Sequence, residues 1–241
     1  MFQWIWVMTS DCLTCQFQKN LFKQFESTSF AYLDFNPTKV TYGSGSIMGL
    51  QSQDQFCLSD NHCLPNTKFL GTFKTLGLNA LISQGIVGLA PSNQGSQSQM
   101  LMDQLKIHRM INQTVFSLLI DENSLVSKMT IGGYDFMKYS KGNLYWHKIL
   151  NNKYWTLPIN QISIGNTKIN QIAKQVIIDS GTSYLLVPTC KLQEKNKLLQ
   201  RIFNRLQIIL HFLYQTVRLP LYFKDQLNVI AMLTNTQRYL V

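Results

Sequence analysis

The sequence predicts an all-β chain, and three observations point that way. Apolar residues come in short alternating or continuous runs rather than long helical stripes. Glycine, asparagine, serine and proline break those runs at close intervals, as strand-turn-strand proteins require. A hydrophobic share of 45% against 14% charged residues is rich enough to build a packed core, which excludes a disordered chain.

The elements follow in order. Trp4-Ile5-Trp6-Val7, Val115-Phe116-Ser117-Leu118-Leu119-Ile120 and Lys128-Met129-Thr130-Ile131 read as strands, the last closed by Gly132-Gly133. One helix is expected over Gln99–Ile107, where Leu101, Met102 and Leu105 share a face. The character changes near Pro188. From Leu192 to Tyr214, Leu199, Phe203, Leu206, Leu210 and Leu213 recur at helical spacing between Lys195, Lys197, Arg201 and Arg205. That is a basic amphipathic helix, read as core-facing with a solvated basic side rather than as membrane-bound. Residues 216–241 show no clear architecture.

Length and charge bound the function. A chain of 241 residues holds one sizeable core or two smaller ones. Its net charge of +10 is uneven: residues 191–241 carry 8 Lys/Arg and 2 Asp/Glu, while residues 1–190 carry 14 and 10. The body is therefore only mildly basic, and without a recognition motif nucleic-acid binding is not expected. Met1–Met8 is apolar but short and lacks a basic flank, so it does not read as a cleavable leader. Ile208–Leu213, a later apolar stretch even with His211 counted in, is far below the roughly 20 residues of a spanning helix.

Five cysteines form two close pairs and a remainder. Cys12 with Cys15 and Cys57 with Cys63 suggest two short-range disulfides, leaving Cys190 without a partner. Zinc is the rival for Cys12-Leu13-Thr14-Cys15, but five residues separate Cys57 from Cys63, wider than usual zinc knuckles. A thioredoxin-like site would open a helix in a βαβ unit, which the flanks do not offer. Disulfides imply an oxidising compartment. No metal or cofactor site is expected. The histidines His62, His108, His147 and His211 form no His-Glu-x-x-His, and no G-x-S-x-G elbow occurs. Asn112-Gln113-Thr114 is a glycosylation acceptor sequence.

The strongest chemical signal is Val176-Ile177-Ile178-Asp179-Ser180-Gly181-Thr182-Ser183. An apolar strand delivers one carboxylate, then a small residue and a glycine turn the chain sharply. Taken alone, an Asp-Ser-Gly after a strand is an ordinary turn. With these flanks it resembles the second active-site loop of the pepsin-like aspartic proteases. Other landmarks occur in that family's order. Trp4-Ile5-Trp6-Val7 resembles the strand after the first active-site loop, with Trp6 at the family's tryptophan. Cys12 and Cys15 resemble the small disulfide loop beyond it. Tyr42-Gly43-Ser44-Gly45-Ser46 is similar to the flap hairpin that covers substrate. Gly85-Ile86-Val87-Gly88-Leu89-Ala90 is similar to a family strand, with Gln84 where the family has aspartate. Thr130-Ile131-Gly132-Gly133-Tyr134-Asp135 and Tyr154-Trp155 resemble landmarks between the lobes. The resemblance runs over about residues 2–200.

The flap also makes sense from its residues. Two glycines let a hairpin tip bend and let backbone lie close to a ligand. A phosphate-binding loop is the rival, but Gly43, Gly45 and Gly49 miss the dinucleotide spacing by one residue, and the flanks read as hairpin.

The resemblance implies a bilobal all-β fold whose second lobe is truncated or divergent. Residues 1–126 would be the N-terminal lobe with its flap, 127–190 a partial C-terminal lobe, and 191–241 a basic, helical tail. It implies an aspartic endopeptidase, a monomer acting on proteins or peptides in an acidic secretory, vacuolar or extracellular compartment. Asp179 would be catalytic; Trp6, Tyr42, Gly43, Ser44, Gly45, Gly181, Thr182 and Ser183 would serve the substrate. The mechanism needs two carboxylates that share a proton across one water. No second Asp-Thr/Ser-Gly occurs, since Asp11, Asp34, Asp54 and Asp60 precede Cys, Phe, Gln and Asn. Alignment on Trp6 places the missing aspartate about two positions before Met1. The chain as written is expected to be inactive, with a non-catalytic or peptide-binding homologue as the alternative. A third idea, pairing of two chains that each give one aspartate, fits poorly because much of both lobes is present.

Overall fold

A computed structural model describes residues 4–15, 20–42, 45–78, 81, 83–91, 100–119, 128–139, 145–160, 162–164, 167–169, 174–180, 229–233 and 239–240. Strands dominate, as the sequence predicts, and the chain forms two compact units, Phe2–Asn112 and Gln113–Val241.

The first unit is built on a six-stranded sheet. Strand β1 (Ile5–Met8) lies at its heart, parallel to β5 (His62–Leu76) on one side and antiparallel to β6 (Gly85–Val87) on the other. Trp6 thus stands level with Leu70 and Ile86. Strand β4 (Ser46–Ser59) runs antiparallel to β5 along almost its whole length, with irregularities after Met48, Asp54 and Cys57. Such bulges bend a long ribbon. Along its course β4 pairs with two further strands, β3 (Thr38–Thr41) near its start and β2 (Ala31–Tyr32) further on.

The core of this unit gathers Trp6, Met8, Cys12, Cys15, Tyr42, Ile47 and Leu70, all buried. Helix α1 (Leu101–Ile107) buries Leu101, Met102 and Leu105, the face expected from spacing. Arg109, at φ 58°, ends it in the left-handed conformation, and the Met110 amide returns to the Leu105 carbonyl at 2.9 Å. The expected first residue of the helix, Gln99, lies outside the described residues.

Two polar residues buried in this unit come with partners. Gln24 is fully buried in a 3-10 turn (Gln24–Glu26); it donates to Asp11 at 2.6 Å and accepts from the Ser10 hydroxyl at 3.0 Å. Asp54 accepts from the Ser27 hydroxyl at 3.1 Å, from Ser29, and from the Gln55 amide at 2.6 Å. A buried carboxylate requires such donors.

The second unit contains a sheet in which β7 (Val115–Leu119) pairs with β8 (Lys128–Ile131) on one side. On its other side β7 pairs with β14 (Val229–Leu233), then come β15 (Tyr239–Leu240) and β9 (His147–Lys148). The last two described segments are therefore strands, in a stretch where the sequence showed no clear architecture. A four-residue helix, α2 (Phe136–Tyr139), follows β8. Two pairs of short strands complete the unit: β10 (Thr156–Pro158) with β13 (Gln175–Ile177), and β11 (Ile162–Ile164) with β12 (Thr167–Ile169). Among the described residues, Val115, Phe116, Leu119, Ile149 and Trp155 form its buried apolar set. The basic helix expected over 192–214, and Cys190, lie outside the described residues.

Candidate active site

Asp179 leaves the end of β13, and the residues before it are firmly seated. Gln175, Val176 and Ile177 pair antiparallel with Pro158, Leu157 and Thr156. One step later the Ile178 amide donates to the Trp155 carbonyl at 2.9 Å, so the ladder extends to the residue before the carboxylate. Trp155 is fully buried, its ring edge-on to Phe116 at 6.1 Å between centroids. The turn leading into it is fixed by Asn151, whose side-chain oxygen accepts from the Lys153 and Tyr154 amides at 3.0 Å each. Asp179 and Ser180 are half-buried, with the chain turning at Ser180. A hydrogen-bonded strand thus leads to a half-buried aspartate. Gly181, Thr182 and Ser183 lie outside the described residues.

The flap sequence sits on the hairpin of β3 and β4, in which Thr41 faces Ser46 and the Tyr42 amide donates to the Gly45 carbonyl at 2.7 Å. Gly43 and Ser44, its tip, lie outside the described residues. Tyr42 is 8% exposed and tilts against the Trp6 ring at 6.2 Å. Burial pushes its phenol above the ordinary tyrosine range, while a polar contact with the Trp6 indole works in the opposite direction. Trp6 Nε1, itself buried, reaches no hydrogen bond of ordinary geometry among the described residues, so that contact is a loose one. Burial prevails.

Gly45 has a reason that the sequence does not disclose. A Cβ at this position would overlap the Leu76 carbonyl of β5 and lie 2.9 Å from the Gly77 carbonyl carbon. Close approach of the neighbouring strand requires this glycine, whereas the sequence suggested approach of a ligand.

The small loop after β1 is closed by a Cys12–Cys15 disulfide, with Cα atoms 5.3 Å apart. Both cysteines are buried in the Trp6 cluster. Thr14 ties the loop to β5, its Oγ1 accepting from the Thr75 amide at 2.6 Å. A second disulfide joins Cys57 to Cys63, directly opposite each other near the turn between β4 and β5. Both pairs match the pairing read from spacing, and each takes the thiolates that zinc would need.

Two anchors escaped the sequence reading. Trp155 figured there as a landmark, yet its carbonyl holds the residue before Asp179. Thr14 gave no signal, because a threonine between two cysteines is unremarkable until β5 lies beside it.

One unit thus carries the tyrosine-based hairpin and the other the strand-borne carboxylate, and the sequence can be compared with known families. The family model described as eukaryotic aspartyl protease matches residues 4–206. The chain belongs to the eukaryotic aspartyl protease family. Pregnancy-associated glycoprotein 2 of Bos taurus is 27% identical over 202 residues, covering 81% of this chain and 52% of that protein. Chymosin of Ovis aries is 28% identical over 167 residues, covering 68% and 43%. Pepsin II-1 of Oryctolagus cuniculus is 28% identical over 192 residues, covering 77% and 49%. The chain spans about half the length of these curated relatives. The aspartyl protease match takes in β1, the flap hairpin, both disulfides and Asp179, so it includes every position singled out above. No helix among the described residues is long and apolar enough to cross a membrane.

Proposed function

We propose that this sequence serves an aspartic endopeptidase, hydrolysing peptide bonds in proteins or peptides within an acidic part of the secretory pathway. One observation carries the reading: between β13 and Asp179 the Ile178 amide is fixed to the carbonyl of the buried Trp155, and Asp179 is half-buried as the chain turns at Ser180. Family membership and two disulfides support the substrate class and the oxidising compartment.

In this reading Asp179 is one of two carboxylates holding a water. Closeness splits their affinities for protons, so one takes a proton from the water while the other hydrogen-bonds the peptide carbonyl oxygen. The attacking water needs both. Tyr42, Gly43, Ser44 and Gly45 lie over the substrate, and Gly181, Thr182 and Ser183 shape the loop beside it. Trp6, only 1% exposed, acts as a positioning residue by holding Tyr42.

Asp179 is the only aspartate in these 241 residues that precedes Ser-Gly or Thr-Gly. A polypeptide of these residues alone supplies one grip on the water, and it will not turn over substrate. The same observation favours a second reading, a homologue that binds peptides without cleaving them. The test replaces Met1-Phe2 by a segment ending in Asp-Thr-Gly-Ser, which sets its aspartate two positions before position 1, and assays peptide cleavage at acid pH. Cleavage that disappears in Asp179→Asn supports the protease. Peptide binding without cleavage in the extended chain supports the second reading, and activity of the unextended chain refutes the two-carboxylate argument.

A further inference from the structure

The stretch between α1 and β7 carries chemistry that proteolysis does not use. Asn112-Gln113-Thr114 has the acceptor pattern Asn-x-Ser/Thr, and among all the asparagines of the chain it is the one place where the pattern is permitted. Asn36-Pro37-Thr38 has the outer residues but is barred by its proline.

Asn112 is exposed, in a bend between Ile107, where the helix ends, and the buried Val115, where the strand begins. Its backbone is held, because Lys106 Nζ donates to the Asn112 carbonyl at 2.6 Å. Its side-chain amide makes no hydrogen bond among the described residues, so derivatising that nitrogen breaks no contact in them. Buried strand positions would exclude a sugar, whereas Asn112 and Gln113 are both exposed. The two disulfides add an independent argument, since an oxidising compartment is also where such modification occurs in eukaryotic cells.

We propose that Asn112 is an N-glycosylation site and that the chain carries its glycan there. The co-reactant is a lipid-pyrophosphate-linked oligosaccharide. The Asn112 amide nitrogen forms a bond to the anomeric carbon of the first sugar and loses one proton. The bond between that carbon and the lipid pyrophosphate breaks, and the pyrophosphate leaves with its electron pair. Nothing is oxidised or reduced. The inference does not depend on catalysis by Asp179.

The test expresses the full chain in the secretory pathway of a eukaryotic cell and compares its mobility before and after peptide-N-glycosidase digestion. One discrete step is expected, and mass mapping should find aspartate at position 112 after digestion. Asn112→Gln and Thr114→Ala should each abolish the step. Pro37→Ala, which frees Asn36, should add a second step and shows that the chain passes the glycosylating enzyme. An unshifted wild-type chain overturns the proposal, whether or not Pro37→Ala gains a glycan. A step that persists in Asn112→Gln overturns it equally.

Discussion

Replacing Trp6 by alanine should cripple the first unit. The side chain is 1% exposed and packs among Met8, Cys12, Cys15, Tyr42, Ile47 and Leu70. A buried aromatic of this kind removes about 150–250 Å² from water, which at about 25 cal/mol per Å² is roughly 4–6 kcal/mol for the whole side chain. Alanine keeps part of that area, and measured losses for such truncations are about 3–5 kcal/mol. Collapse around the gap is restricted, because β1 is paired on both sides and the Cys12–Cys15 loop is covalently closed. The value should therefore fall near 4 kcal/mol, about a thousandfold in an opening equilibrium. Amide hydrogen exchange reads it directly. The reporters are Met8 and Thr9, whose amides donate to the Gln84 and Thr72 carbonyls at 2.7 and 3.0 Å. A thousandfold loss of protection is expected there. Acceleration below about tenfold would show that Trp6 does not organise this core, and the positioning role given to it would fail.

Two further substitutions test the flap hairpin. Tyr42 has its phenol raised by burial, so the fold favours the neutral form. Its stabilisation is fully present below the unfolded tyrosine value of about 10 and lost as pH rises beyond it. Tyr42→Phe should flatten this alkaline decline, and an unchanged pH profile of thermal unfolding would contradict the burial argument. Gly45→Ala forces a methyl against the Leu76 carbonyl and should cost about 1–3 kcal/mol, as overpacking does. Gly133→Ala, where an added Cβ meets nothing within 4 Å, should stay within about 0.5 kcal/mol. Equal midpoints in urea for these two variants would refute the close-approach explanation.

Much of this architecture could be read before any coordinates. Trp4–Val7 betrayed its strand by apolar continuity, α1 by the shared face of Leu101, Met102 and Leu105, and both disulfides by spacing. These signals are local, each complete within ten residues or so. The long ribbon was harder. Gln51-Ser52-Gln53-Asp54-Gln55 has no apolar alternation, yet it lies inside β4 with Ser52 and Asp54 buried. Its polar side chains are tolerated because partners such as Ser27 and the Leu50 carbonyl come to meet them. No pattern along the chain announces such partners. The tail strands escaped for a related reason, since β14 is defined by pairing with β7, more than a hundred residues earlier.

The same division holds for the candidate site. Asp179 and Tyr42 stood out because their flanking residues are distinctive. The supports did not: Trp155 contributes a backbone carbonyl, Thr14 an unremarkable hydroxyl, and Gly45 an absent side chain whose neighbour is 31 residues away at Leu76. Backbone acceptors and missing atoms leave little trace in residue identity. They become legible only when strands have found their partners.

The decisive measurement is the rate of peptide cleavage at acid pH by the chain extended with Asp-Thr-Gly-Ser in place of Met1-Phe2, set beside its Asp179→Asn variant. The extended chain should cleave, and the variant should lose at least about a hundredfold, the lower bound for removing a general acid or base. Equal rates for the two would mean that this carboxylate takes no part in breaking the bond.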